Sequence, residues 1–263
     1  MSEQAIKKIL ITGANGFIGG SLMRYYQNHG QDTVGVDLIG NDDDIVEGDI
    51  SQPDTISQQL QECDVIIHTA ALVSNAMQDS DMWQVNVLAT RNLIQAAKEH
   101  KVRRFVQISS IVAYGNSAEG ELDETHPVHA DGGSYVLTKL ASEHVVLSEQ
   151  ANDDIEVVII RPGDAYGPGS RPWIIAPLEA IAKNQFMLPE KGEGFFRPIY
   201  IDDLVRGIAM ASKHPDAAGE IFNLSCEGYM FTKDYFTPHY QWLGKKRPVV
   251  VSTQLALKIS AIA

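Results

Sequence analysis

The chain has 263 residues, of which 44% are hydrophobic and 21% are charged. This is an ordinary soluble composition, and it excludes a disordered, collagen-like or coiled-coil chain. At about 150 residues per domain, the length predicts one large or two small domains. The 34 acidic residues outnumber the 21 basic ones, so the formal net charge is −13. Because this charge repels nucleic-acid backbones and anionic membranes, we expect a small-molecule substrate, with no nucleic acid and no membrane as partner.

Targeting and metal signals are weak in this sequence. Cys63 and Cys226 are too few for a disulfide scaffold. Residues 1–12 carry charges and only a short apolar run, so no export signal is visible. Every apolar run is shorter than the 18 or more residues that a membrane span needs. The His126 to His129 pair encloses a proline among turn residues, so we predict no metal site. We expect a cytoplasmic protein.

Short apolar segments alternate with helical ones through the first 161 residues. The pattern predicts strands at 8–12, 33–37, 64–68, 104–108 and 155–161, and helices at 17–29, 53–61, 82–100 and 135–149. The strands are apolar throughout rather than alternating, which is typical of a parallel sheet covered on both faces. The predicted fold class is therefore α/β, with a doubly wound parallel sheet.

The alternation stops at Pro162. More than half of the 11 prolines lie between Pro162 and Pro198, so we expect an irregular, smaller lobe there. Further predicted elements are helices at 174–183, 202–211 and 233–243 and a strand at 220–224. We expect one domain at 1–162 and a second lobe at 163–263, of which about 197–227 returns to the core. Leu255, Ile259 and Ile262 share a helical face that reaches the last residue without a cap, which favours a longer natural polypeptide.

Three glycines separate the first predicted strand from the first helix. Gly13, Gly16 and Gly19 would give a tight turn, close backbone approach to a pyrophosphate and close helix packing. Asp37 ends the second strand, where a carboxylate accepts ribose hydroxyls and repels a 2′-phosphate. The glycines alone could also simply shape a turn, but the strand, turn and helix order favours a dinucleotide site. We predict NAD as cofactor, with NADP less favoured.

A second set of residues indicates proton transfer. Tyr135 and Lys139 lie four apart on a predicted helix, so the ammonium can favour the phenolate and lower the phenol pKa. Tyr229 and Lys233 have the same spacing, so spacing cannot choose between the two pairs. Position favours Tyr135, because its helix follows the strand at 104–108, and the carboxyl edge of a parallel sheet is where ligands bind.

Several segments then occur in a characteristic order. They are Thr12 to Gly19, Asp49-Ile50, His68 to Ala71, Asn86, Ser109-Ser110 before Tyr114-Gly115, Tyr135 with Lys139, and Arg161 to Gly169. Together they resemble the extended short-chain dehydrogenases/reductases, the NAD-dependent epimerase/dehydratase family, over nearly the whole chain. The resemblance implies a Rossmann domain at 1–162 that binds NAD, a substrate-binding lobe at 163–263 and a homodimer.

The resemblance also implies residue roles. Tyr135 would be the catalytic acid/base, Lys139 would lower its pKa and hold the nicotinamide ribose, and Ser110 would hydrogen-bond the reacting oxygen. For His68 and Asn86 a purely structural role stays open. The implied cofactor-binding residues are Gly13, Asn15, Gly16, Phe17, Ile18, Gly19, Asp37, Asp49, Ile50, Thr69, Ala70, Ala71, Asn86, Ser109, Tyr135, Lys139, Pro162 and Gly163.

The substrate is less well defined. Arg197 matches the arginine that nucleotide-sugar epimerases place on a pyrophosphate, but an apolar region with Trp173 and Phe195 favours a ketone or a steroid-like or lipid-like alcohol. A surface ion pair of Arg197 with Asp202 or Asp203 is the alternative. Unlike sugar-nucleotide dehydratases, the segment before Tyr114 has no acid, which disfavours water elimination. The predicted substrate-binding residues are Ser110, Trp173, Phe195 and Arg197.

The leading hypothesis is an NAD(P)-dependent oxidoreductase that interconverts a secondary alcohol and a ketone by hydride transfer. The first alternative is a nucleotide-sugar epimerase that uses transient oxidation by bound NAD. The second alternative, from another class, is a non-catalytic dinucleotide sensor, which the presence of Ser110, Tyr135 and Lys139 disfavours.

Overall fold

The computed structural model describes residues 6–40, 44–73, 78–115, 120–151 and 154–255. The chain divides into two compact units. The first unit comprises Met1–Pro162 and Asp202–Leu224, and the second comprises Gly163–Ile201 and Ser225–Ala263. Within the described ranges, no helix is both long and apolar enough to cross a bilayer.

Eleven strands lie in the described ranges. They are β1 (Lys8–Thr12), β2 (Asp32–Asp37), β3 (Ile45–Glu47), β4 (Val65–His68), β5 (Arg104–Ile108), β6 (Glu156–Pro162), β7 (Asp164–Tyr166), β8 (Phe195–Phe196), β9 (Pro198–Tyr200), β10 (Ile221–Leu224) and β11 (Met230–Phe231). Seven of them form the sheet of the first unit in the order β10-β6-β5-β4-β1-β2-β3. All its neighbours are parallel. This order contains the Rossmann order 3-2-1-4-5-6, so the predicted doubly wound parallel sheet is confirmed.

Eight α-helices lie in the same ranges. They are α1 (Phe17–Asn28), α2 (Ser57–Gln61), α3 (Asp79–Trp83), α4 (Thr90–Glu99), α5 (Ser134–Gln150), α6 (Ala176–Ala182), α7 (Ile201–Lys213) and α8 (Thr232–Trp242). A π-helical segment, Gln84–Ala89, joins α3 to α4, and a second one, Arg171–Ile175, precedes α6. The single helix predicted at 82–100 is therefore interrupted and starts earlier.

The core of the first unit explains why its sheet forms. Leu10, Ile66 and Phe105, which lie on three neighbouring strands, are fully buried in one cluster with apolar residues of α2 and α4. Val65–His68 and Arg104–Ile108 are buried at every position, because helices cover both faces of a parallel sheet. Burial of this apolar surface is the main driving force for the unit.

The second unit differs most from the sequence-based prediction. It contains two small sheets that the sequence did not predict, β7 with β9 in parallel and β8 with β11 antiparallel. Phe196, Tyr235 and Phe236 form a separate core there. Of the predicted helical face, Leu255 is the last described residue, and Ile259 and Ile262 lie outside the described ranges.

Candidate active site

The turn between β1 and α1 is built on close backbone contacts. Gly13 has φ +68°, a conformation that favours glycine. A Cβ on Gly19 would lie 2.1 Å from the Gly13 carbonyl oxygen, so the helix packs directly on the turn. α1 begins after Gly16 without a side-chain hydrogen bond to cap it. Its first N–H groups and positive dipole end therefore point toward any anion at this turn.

Asp37 lies beside the glycine turn. Its Oδ2 accepts the backbone N–H of Asn15 at 3.0 Å, and its Oδ1 accepts the N–H of Leu38 at 2.8 Å. The Asn15 amide in turn donates to the Ile39 carbonyl at 2.7 Å. The carboxylate at the end of β2 is thus held at the turn, with lone pairs left over for ribose hydroxyls.

The segment after β4 packs against the same turn. A Cβ on Gly13 would lie 2.8 Å from Ala70 Cα and 2.9 Å from Thr69 Oγ1, and Thr69 donates to the Thr12 carbonyl at 2.7 Å. Since β1 and β4 are the strands between which the strand order reverses, this is the crevice where ligands of such sheets bind.

Other predicted cofactor residues occupy varied positions. Phe17 and Ile18 open α1, Ala71 follows Ala70, and Pro162 ends β6. Asp49 accepts the Ser51 N–H at 2.8 Å within its own turn, and Ile50 is buried in the core. Gly163 belongs to the second unit, where a Cβ would meet the Arg197 carbonyl oxygen at 2.3 Å. Their contacts with a cofactor stay a prediction.

Ser110, Tyr135 and Lys139 come together at the carboxyl end of β5. The Ser110 hydroxyl lies near enough to the Tyr135 phenol to affect its pKa, and the Lys139 ammonium lies 5.9 Å from the centroid of the Tyr135 ring. Lys139 Nζ donates to the Ile108 carbonyl at 2.9 Å. The second pair of the same spacing is different, because Tyr229 is 55% exposed in a loop and Lys233 binds Glu193.

Burial controls the pKa values of this cluster. It lowers the pKa of Lys139 to about 8, while the nearby Glu143 carboxylate opposes that change. Burial also raises the pKa of Tyr135, and the nearby Ser110 hydroxyl opposes it. The pKa of Tyr135 therefore shifts upward because of lost solvation, opposite to the lowering by Lys139 that the sequence led us to expect. The phenol is protonated at neutral pH and is ready to donate its proton.

Asn86 and His68 belong to a buried polar network. Asn86 lies in the π-helical segment, where its amide exchanges two hydrogen bonds with the Leu72 backbone, at 2.7 and 3.0 Å, and donates to Thr138 Oγ1 at 3.1 Å. His68 bridges Thr12 and Thr90 at 2.7 and 2.9 Å, and burial lowers its pKa to about 3. Both side chains thus bind the protein interior, which fits the structural role left open above.

Glu143 and Arg161 make a buried contact that the sequence did not predict. These side chains form a buried ion pair, with Arg161 Nη2 to Glu143 Oε2 at 2.7 Å. Ser109, predicted to line the cofactor, is buried, and its hydroxyl donates to Glu143 Oε1 at 2.5 Å. The signal that could have identified Glu143 is its position, four residues after Lys139 on the same helix face.

Arg197 and Phe195 lie in the second unit. The guanidinium of Arg197 lies 5.7 Å from the ring centroid of Phe195 and 5.1 Å from that of Tyr229. Its Nη1 is buried without a hydrogen-bond partner in the described part of the chain. Of the two alternative ion-pair partners predicted for Arg197, Asp202 and Asp203, the latter pairs with Arg206 within the described ranges.

Trp173 and Asp164 belong to the same unit as Arg197. The Trp173 ring packs edge-on against Phe196 at 4.8 Å, and its carbonyl accepts hydrogen bonds from Tyr235 and His239. Asp164 accepts the backbone N–H of Arg197 at 3.0 Å, and burial raises the pKa of Asp164 to about 6. Trp173 is therefore fixed by packing, and an acid lies next to Arg197.

The first unit fits the predicted dinucleotide. A pyrophosphate suits the glycine backbone of the turn after β1 and the uncapped start of α1. The adenosine ribose that follows it suits the Asp37 carboxylate. Gly13, Gly16, Gly19 and Asp37 would hold this group.

Comparison with known proteins gives consistent matches. Residues 9–225 match the NAD dependent epimerase/dehydratase family. UDP-glucose 4-epimerase from Vibrio cholerae is 30% identical over 83% of this chain and 70% of its own length. A decarboxylating sterol-4-alpha-carboxylate 3-dehydrogenase from Candida albicans is 27% identical over 92% of this chain and 74% of its own. The solved UDP-glucuronic acid 4-epimerase from Bacillus cereus, in complex with NAD, superimposes with a TM-score of 0.83 at 27% identity, covering 94% of this chain and 87% of that one.

Proposed function

Because the chain belongs to the NAD-dependent epimerase/dehydratase family and is an enzyme of that family, we propose that it is an NAD-dependent oxidoreductase that interconverts a secondary alcohol and a ketone. One observation carries the proposal. The Ser110 hydroxyl, the Tyr135 phenol and the Lys139 ammonium are gathered at the carboxyl edge of the sheet that also carries the glycine turn.

Each residue has a defined part in the proposed reaction. When bound, NAD supplies the hydride acceptor and, in reduced form, the donor. Tyr135 donates a proton to the substrate oxygen as the ketone is reduced and takes it back in the reverse direction. The Ser110 hydroxyl binds the same oxygen. The Lys139 ammonium stabilises the phenolate that Tyr135 becomes after it has given up its proton.

A nucleotide-sugar epimerase is the second candidate, and Arg197 favours it. A buried guanidinium nitrogen without a partner is costly, so an anionic substrate group such as a diphosphate would stabilise it. The epimerases from V. cholerae and B. cereus act on UDP-sugars according to their names. The aromatic rings beside Arg197 are equally compatible with a sterol-like substrate, as in the name of the C. albicans relative.

One experiment separates the two candidates. Thermal shift in the presence of NAD identifies ligands from a panel of UDP-sugars, steroids, and aliphatic alcohols and ketones. A hit that yields net NADH at 340 nm supports the dehydrogenase, while a product epimer without net NADH supports the epimerase. In either case Tyr135→Phe should lower turnover by at least ~10²-fold with NAD affinity nearly unchanged, whereas Tyr25→Phe on α1 should not. Wild-type turnover by Tyr135→Phe would refute the assignment of the acid/base.

A further inference from the structure

One face of α5 holds the end of β5 at three consecutive residues. Tyr135, Lys139 and Glu143 follow one another at four-residue intervals, so their side chains share that face. Lys139 donates to the carbonyl of Ile108, Glu143 accepts from the hydroxyl of Ser109, and Tyr135 lies beside the hydroxyl of Ser110. Ser110, whose hydroxyl would bind the reacting oxygen, is therefore the last of three adjacent residues that this face of α5 contacts.

Arg161 extends this attachment to the far end of the same segment. Its Nε and Nη2 donate to the Glu143 carboxylate at 3.0 and 2.7 Å, and its Nη1 donates to the Tyr114 hydroxyl at 3.0 Å. Tyr114 is the last residue of the 3₁₀ turn that starts directly after Ser110. The guanidinium also lies 4.8 Å from the centroid of the Tyr114 ring. The ion pair thus holds both ends of the segment Ser109 to Tyr114.

The pair is almost completely enclosed, since Glu143 is 1% exposed and Arg161 is 3% exposed. A buried ion pair adds little net stability over well-packed apolar residues, because both charges must be desolvated. Its fixed, bidentate geometry is what apolar residues cannot supply. The ion pair therefore differs from an apolar pair at the same positions in its fixed geometry more than in its contribution to stability.

We propose that Glu143 and Arg161 form a positioning pair that holds the Ser110 hydroxyl against the Tyr135 phenol and thereby sets how readily Tyr135 exchanges its proton. The proposal rests on the proposed function, in which Tyr135 is the acid/base. Both members of the pair are buried and act through Ser109 and Tyr114, which carry the contact to the two ends of the segment.

The test measures the ionisation of Tyr135 directly and needs no substrate. The protein is labelled with ¹³C at the tyrosine Cζ, and the Tyr135 signal is identified by its loss in Tyr135→Phe. The primary variants are Ser109→Ala and Tyr114→Phe, because each removes one hydroxyl and leaves both buried charges paired. Glu143→Gln is the secondary variant, since loss of one buried partner strongly destabilises a protein. Thermal unfolding verifies that each variant is folded.

Each primary variant should raise the measured pKa of Tyr135 by about half a unit to one unit, the size expected for a weakened hydrogen bond to the phenolate. The matched control is Glu149→Gln, which removes a carboxylate from the same helix and breaks an ion pair with Lys98. This control should leave the pKa of Tyr135 unchanged. An unchanged pKa in folded Ser109→Ala and Tyr114→Phe would overturn the positioning role. A failure of the proposed function is distinguishable, because it would show instead as full turnover in Tyr135→Phe.

Discussion

Alanine at Gly19 is expected to damage the glycine turn, whereas alanine at the adjacent Gly20 is not. A Cβ on Gly19 would lie 2.1 Å from the oxygen and 2.8 Å from the carbonyl carbon of Gly13, both of them backbone atoms. A Cβ on Gly20 would come no closer than 3.2 Å to the Ala14 carbonyl oxygen and 3.7 Å to Arg24 Nη1. Both positions lie inside α1, so the gain in helix propensity is the same and cancels in the comparison.

The difference between the two variants follows from the clash alone. Normal contact between carbon and a neighbouring heavy atom needs roughly 3.5 Å, so a Cβ that would lie 2.1 Å from the Gly13 oxygen requires α1 and the turn to separate by about 1.4 Å in Gly19→Ala. Overpacking of this kind costs about 1 to 3 kcal/mol. We expect Gly19→Ala to be less stable than Gly20→Ala by that amount. The same displacement moves the N–H groups of α1 away from the turn, so NAD affinity should fall at least ~10-fold, or about 1.4 kcal/mol.

Urea unfolding measures the stability difference, and calorimetric titration with NAD measures the affinity of each variant. Gly20→Ala is the matched control because it adds the same methyl group one residue away. Equal unfolding midpoints and equal NAD affinities for the two variants would refute the close packing of α1 on the turn.

The remaining predictions concern cofactor choice, pH and assembly. Asp37→Ala should raise the Kd for NAD more than the Kd for NADP, because only NAD offers a free 2′-hydroxyl to the carboxylate; equal losses would place Asp37 away from the ribose. His68 has its pKa lowered from 6.5 to about 3 by burial, so only the unfolded chain takes up a proton between those pH values and stability falls as the pH drops through that range, by up to ~5 kcal/mol. When unfolding is measured at several pH values, His68→Gln should lose this dependence of the free energy of unfolding on pH, while His29→Gln, at an exposed position, should keep it. The same pH dependence in both variants would contradict a neutral, buried His68. We also expect a homodimer, and a monomer in sedimentation at micromolar concentration would count against it.

The sheet could be predicted from the sequence because its strands are apolar runs. The segments expected at 8–12 and 104–108 match β1 and β5 residue for residue, and 33–37 differs from β2 by one residue. β3 was missed because it has only three residues and follows a run of aspartates that reads as a loop. β7, β8 and β9 were missed because they are two or three residues long, and their pairing depends on contacts distant in sequence.

The site was predictable where its geometry is local. Tyr135 and Lys139 are related by helix periodicity, and Gly13 and Gly19 by the turn. Arg161, by contrast, reaches Glu143 from a different element, so no spacing rule identifies the pair. The π-helical segment could not be predicted either, because no local sequence propensity marks it. Its Asn86 side chain instead bonds the backbone of Leu72, which is distant in sequence.

The cations of the protein interior fall into two groups according to their interaction partners. Arg104 and Arg161 are both paired with carboxylates, Glu156 and Glu143. Among the described residues, Lys139 and Arg197 form no ion pair. Lys139 donates to a carbonyl with Glu143 nearby, and the half-buried guanidinium of Arg197 lies over aromatic rings with Asp164 nearby. A cation that is removed from water without a direct ion pair is costly to desolvate, so its retention is best explained where an anion forms or binds. By this reasoning the phenolate of Tyr135 would compensate Lys139, and an anionic group of the substrate would compensate Arg197.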